Sequence, residues 1–206
     1  MNISVDVKGI DAVQKKLAGL QSGIKDRVLA AAVNKTAAKA VTEVNRAIRE
    51  EYVVKAEEVR NSISLRRATS GNIVANIDIF GSKSRRGRSA NMIRFLAAIQ
   101  ASGIAIKTRG AAGVKRKDLV GLGRQLGFQV KRSGGLKQIR GAFVGNSGRT
   151  VFIRETKARL PIEPVQVIGF SQMFASNKIS KRVMAKVDRD LIVEVERALK
   201  MVMERG

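Results

Sequence analysis

The sequence predicts an α+β fold: a long N-terminal helix and a C-terminal helix packed on a small antiparallel β-sheet of hairpins, with extended basic loops. Apolar residues recur at helical spacing near both ends, while the middle holds short alternating segments bounded by Gly, Asn and Pro. An apolar fraction of 44% supplies enough material for a core. There is no internal repeat and no heptad sustained over the length of a coiled coil.

Ile3, Val5 and Val7 alternate with Ser4, Asp6 and Lys8, which predicts a strand with one buried face. Asp11 can cap a short helix through about Leu20, with Val13, Leu17 and Leu20 on one side. The long helix spans roughly Lys25 to Tyr52. Its apolar stripe is Leu29, Val33, Thr36, Ala37, Ala40, Val41, Val44 and Ile48. Alanines at 30, 31, 32, 37, 38 and 40 thin one side for close approach, and Lys35, Lys39, Glu43, Arg46, Arg49 and Glu50 form the outer face. Lys55 to Ile63 predicts another short helix with Val59 and Ile63 inward, and residues 73–79 predict a strand.

GSKSRRGRSAN, residues 81–91, reads as an exposed loop. MIRFLAAIQ suits a short helix, GIAIKT a strand, and KDLVGLGRQLG a helix loosened by glycine. FQVKR, QIRGAFVG and TVFIRET are candidate strands, the last two joined by Asn146-Ser147-Gly148, where Asn and Gly tolerate positive φ. Pro161 and Pro164 are expected to end the sheet in an extended link, and Val165 to Ile168 to add a strand. The C-terminal helix runs from about Asn177 or Ser180 to Met203, with Val183, Val187, Leu191, Val195, Leu199 and Val202 as its buried stripe. The expectation is one domain over 1–206: strand and helices in 1–80, basic loop and sheet in 81–154, proline link and helix in 155–206.

Composition excludes several chemistries. Without cysteine there is no disulfide and no thiolate metal site; without histidine, a His-dependent triad, a zinc site and an HNH-type nuclease are ruled out. The expectation is no enzyme, no cofactor, no metal and no small-molecule substrate. No stretch is apolar enough for a signal peptide or a membrane span. The glycines of 141–148 lack the Lys-Ser/Thr ending of a P-loop and are followed by a strand pattern, so the segment reads as a hairpin. Glu155-Thr156-Lys157 could serve a metal nuclease only beside a second carboxylate, and the sole acid in the basic segment is Asp118.

The net charge of +23 implies an acidic partner, nucleic acid or protein. Residues 81–154 hold 17 basic residues and one acid, a net +16, whereas 1–80 and 155–206 are near balance at +4 and +3. The candidate contact residues for DNA phosphates or an acidic partner are Arg85, Arg86, Arg88, Lys115, Arg116, Lys117, Lys131 and Arg132. Aromatic residues are too sparse there to suggest a base-stacking surface.

Two blocks carry a resemblance. AAAVNKTAAKAVTEVNRAIREEYVVKAEEVRNSISLRRAT, residues 30–69, leads an Ala-rich helix with N-K-T-A into a basic second helix and an R-R-A end. IRGAFVGNSGRTVFIRETKARLPIEPVQ, residues 139–166, sets G-A-F before a hairpin, then a V-F-x-R strand and a basic link to P-I-x-x-V. With these the chain resembles the minor tail protein Z family of tailed bacteriophages and prophages, also called tail completion proteins; residues 90–127 match least. The resemblance implies a structural virion protein of the tail and neck, acting late in tail assembly to prepare the tail for head joining and the DNA end. It also implies a likeness to head–tail connector proteins that form rings, hence a homo-oligomeric ring with tail terminator, tube or connector neighbours, and assembly in the host cytoplasm. The alternative reading is a free nucleic-acid-binding protein of ribosomal or nucleoid type, motivated by charge alone.

Overall fold

The structure is a computed structural model, and it describes residues 2–5, 22–80, 89–101, 104–107, 125–139, 141–154, 156 and 158–204. The helix expected at 11–20 lies outside these residues.

Helix α1 spans Ser22–Glu51, and the C-terminal helix, α4, spans Asn177–Met203. They lie against each other and run antiparallel, since Glu51 near the end of α1 meets Lys178 at the start of α4 and Lys39 meets Glu194. The α1 stripe packs as its spacing predicts: Val33, Thr36, Ala37, Val44 and Ile48 are fully buried. Ala32, Ala37 and Ala40 let neighbours approach closely, but Ala31 and Ala38 face solvent, because a 100° step per residue cannot turn every alanine of the run inward. On α4, Val183, Val187, Leu191 and Val195 are buried, with Leu199 and Val202 partly so.

A second side of α1 covers a sheet ordered β1 (Asn2–Val5), β3 (Ala75–Ile79), β2 (Ile63–Arg66), all antiparallel. Ile3 and Val5 on β1 and Ala75, Ile77 and Ile79 on β3 point into this core at period two. The expected helix 55–63 is shorter: α2 is Ala56–Arg60, and Ile63 already belongs to β2, because Leu65 and Ile63 pair with Ile77 and Ile79 across the ladder. That pairing is nonlocal, so no local pattern marks it.

Other local readings are overturned in the same way. Ser89–Asn91, expected in the basic loop, is strand β4 and pairs with β12 (Gln166–Ile168). MIRF forms a 3-10 turn, but Leu96–Ala101 continues as strand β5 rather than helix, between β6 (Ile104–Lys107) and β7 (Gln125–Phe128). The end of the expected glycine-loosened helix is thus β7, and FQVKR is strand only at Phe128. Lys137–Gln138 forms the short β8 at the edge. The hairpin is as expected: β9 (Ala142–Gly145) and β10 (Thr150–Arg154) flank a turn with Gly148 at φ 77°. Pro161 and Pro164 do not bound a free link, since Ile162–Pro164 is β11, an edge strand on β10 where a missing N–H is tolerated. Phe170–Phe174 forms an unforeseen helix, α3, whose Phe170, Met173 and Phe174 are buried in the α1–α4 core.

A second cluster, Leu126, Phe128, Ala142, Val144 and Val151, sits under the hairpins; Met92 packs against both clusters.

Candidate interaction surface

Of the eight cationic candidates, Arg85, Arg86, Arg88, Lys115, Arg116 and Lys117 lie outside the described residues. Lys131 and Arg132 are described, both exposed, side by side where the chain leaves β7 and docks on the end of α1. The dock is a backbone seam: Val53 N–H donates to Val130 O at 2.9 Å, and Arg132 N–H to Glu51 O at 2.8 Å. Lys131 forms a bridge with Tyr52. Arg132 Nε donates to the Arg49 carbonyl at 2.6 Å. It thereby satisfies one of the last-turn carbonyls that a helix leaves open and sets a cation at the negative end of its dipole. Arg132 therefore has a structural duty that its charge alone did not reveal.

From Lys131 the chain turns back, Gly134 N–H donating to Lys131 O at 3.2 Å. Gln129 Nε2 braces the loop by donating to Gly134 O at 2.9 Å. Lys137, just past this loop, is exposed as well. Beneath it Met92, Phe128 and Val130 line a cavity of about 490 Å³.

The described cations of the middle segment make no direct ion pair, although the charge of Lys131 helps to lower Glu51. Among the described residues, no ion pair involves any residue from 89 to 154. Arg94 lies 5.2 Å from the Phe170 ring centre and Arg154 4.4 Å from that of Phe143, so these guanidiniums rest on π faces. The helical pair behaves in the opposite way. Glu194 is fully buried and accepts from Lys39 at 2.7 Å and Arg197 at 2.8 Å. Arg182 donates to Glu43 at 2.8 Å and also to Glu50, and Lys178 holds Glu51 at 2.7 Å. Glu43, expected on the outer face of α1, is buried, because α4 covers that face and brings Arg182 to it. The hydrogen bond from Arg182, then that from Arg46, holds the Glu50 carboxyl at about 2. The bond from Lys178 lowers Glu51, and that from Lys39 lowers Glu194.

Two asparagines escaped the sequence reading. Asn34 Nδ2 donates to Ala68 O at 2.9 Å, and its Oδ1 accepts from Ala68 N–H at 2.8 Å. The N-K-T-A and R-R-A ends of the first block are thus tied by a single amide. Asn91 does the same for Val151, accepting from its N–H at 2.9 Å and donating to its O at 3.4 Å. For Asn34 the only signal available beforehand was an amide in the middle of an apolar helix pattern, where such residues are disfavoured unless they have work to do; Asn91, read as part of a loop, carried none.

Two amphipathic helices braced on small antiparallel sheets, with ion pairs concentrated between the helices and a strongly basic middle segment, define an α+β protein without a catalytic constellation among the described residues. The chain belongs to the family of prophage minor tail protein Z, whose family model matches residues 7–205. It is accordingly a structural protein of the phage tail, a component of the virion. No curated protein and no solved structure matches the chain. No helix among the described residues is long and apolar enough to cross a membrane.

Proposed function

We propose that this tail protein acts in tail completion and head–tail joining at the neck, as a homo-oligomeric ring near the DNA end, assembled in the host cytoplasm. The 1–206 chain acts as one domain, a reading supported by Met92, which packs against both clusters. The observation that carries the proposal is the charge of residues 81–154, 17 cations against a single acid, together with the lack of an ion pair at the described residues among them. Like charges left uncompensated oppose the fold, and they are tolerated where a partner neutralises them. In this reading Arg85, Arg86, Arg88, Lys115, Arg116, Lys117, Lys131 and Arg132 face DNA phosphates or an acidic face of a neck, tube or terminator protein. Subunit contacts use sheet edges and mid-chain loops, because the long helices already bury their main stripes against each other and the sheet.

The test pairs duplex binding across a salt series with head–tail joining in an infection lysate, for the chain and for a variant with Arg85, Arg86 and Arg88 neutralised. Each lost phosphate contact lowers the slope of log K against log salt by about 0.9. Weakened binding with failed joining supports contact with the DNA end; normal binding with failed joining supports an acidic protein neighbour. Normal results in both remove the cluster from the functional surface. A chain that stays monomeric when mixed with purified tail components at high concentration refutes the ring.

A further inference from the structure

Where the start of α1 meets the end of α4, an apolar groove of about 580 Å³ runs between the two helices. Its floor includes Ile24, Val28, Met201 and Val202, with Ile24 38% and Met201 41% exposed. Arg27 and Lys35 line it from α1, both exposed and without a direct ion pair among the described residues, although the charge of Lys35 also helps to lower the buried Glu194. The cations at the seam itself are committed elsewhere: Lys39, Arg182, Lys178 and Arg197 are all engaged by carboxylates.

We infer that this groove docks an acidic amphipathic helix of another protein. The apolar floor takes the nonpolar stripe of such a helix. Arg27 and Lys35, eight residues apart, stand about 12 Å apart along the α1 axis. They are matched by carboxylates two turns apart on the incoming helix. A second copy of this chain is a poor occupant of this groove, since its long helices already bury their main apolar stripes and carry cations of their own. Charge selects the partner, and apolar area holds it. The lining residues come from α1 and α4, and the inference does not depend on how the basic segment is used.

The probe is a stapled helical peptide with leucines on one face and flanking glutamates two turns apart, compared with the same peptide bearing lysines. Binding to the full chain is followed by fluorescence anisotropy at two salt concentrations. The glutamate peptide is expected to bind about tenfold or more tightly than the lysine peptide, with the difference shrinking at high salt. Arg27→Glu/Lys35→Glu is expected to reverse the preference in a chain that stays folded, with a modestly lower melting temperature because the charge of Lys35 also favours the Glu194 carboxylate. Met201→Glu, a second variant on the groove floor, is expected to lose the glutamate peptide without touching the rim. Equal binding of both peptides, binding of neither, or an unchanged preference in a folded double-reversal variant overturns the inference. So does a photo-crosslinker at position 201 that reports only the chain's own residues 6–21, or only a second copy, and is not displaced by the glutamate peptide.

Discussion

Asn34 and Gly148 show how much depends on single residues here. Asn34 supplies both partners to the backbone of Ala68 from within a helix that is otherwise apolar on that side. Replacing it with leucine leaves a donor and an acceptor of Ala68 without protein partners, so Asn34→Leu is expected to destabilise the protein by about 1–3 kcal/mol in chemical denaturation. Asn34→Asp, which keeps the acceptor and loses the donor, should fall between the two. The hairpin turn has Asn146, Ser147 and Gly148 all at positive φ, with Arg149 N–H donating back to Gly145 O at 3.2 Å. A β-branched side chain is strained at the φ of 77° that Gly148 adopts. Gly148→Val should cost about 1 kcal/mol or more, read as a lower denaturation midpoint. Unaltered stability of that variant would mean that the turn readily adopts another geometry.

At the scale of elements, α1 and α4 are joined by apolar stripes and by carboxylates that are charged in the folded state. The pH consequence has a definite sign. Glu50 falls from 4.5 to about 2 in the folded chain, and Glu51 and Glu194 fall as well. Their stabilisation is therefore fully present above the ordinary value of 4.5 and is lost as pH drops toward about 2. Melting temperature should be flat near neutrality and decline below about pH 4.5. Glu194→Gln should soften that decline, because it removes one of the three groups, while lowering stability near neutrality by about 1–3 kcal/mol through the lost charged bonds to Lys39 and Arg197. Leu191, buried on α4 at the same seam, provides a control: Leu191→Ala should cost about 2–4 kcal/mol with no change in the acid profile.

The whole molecule separates its charges. Acids are concentrated in the helical ends, where they meet cations across the α1–α4 seam, and the middle carries its +16 with a single acid. Salt should therefore act in opposite ways on folding and on association. Raising it screens repulsion within the basic segment and weakens any complex that segment makes. Lys131→Ala should lower duplex affinity with the melting temperature nearly unchanged, since its charge is exposed. Arg132→Ala should lower both, because its Nε also closes the end of α1 at the Arg49 carbonyl. Parallel salt titrations of binding and of thermal melting distinguish the two residues.

The two long helices, their buried stripes, the strand at 75–79 and the 142–154 hairpin were legible in the sequence, because each follows from a local period or a turn of fixed chemistry. The concentration of charge was legible as well, since it needs only a count. What required the tertiary structure were the pairings between distant segments: β2 on β3, β4 on β12, β11 as an edge strand despite its proline, and β7 where a helical pattern competed. In each case a ladder to a remote strand outweighs a weak local preference. The same holds for side chains. Arg132 reads as one more surface cation and Glu43 as an outer-face acid until α1 receives a carbonyl-seeking loop at its end and a basic helix along its flank. Local sequence sets what each segment can become. Which of its polar groups are already satisfied, and which are left free to meet a partner, is decided only when the segments pack, because hydrogen bonds and ion pairs depend on neighbours that lie up to 155 residues away along the chain.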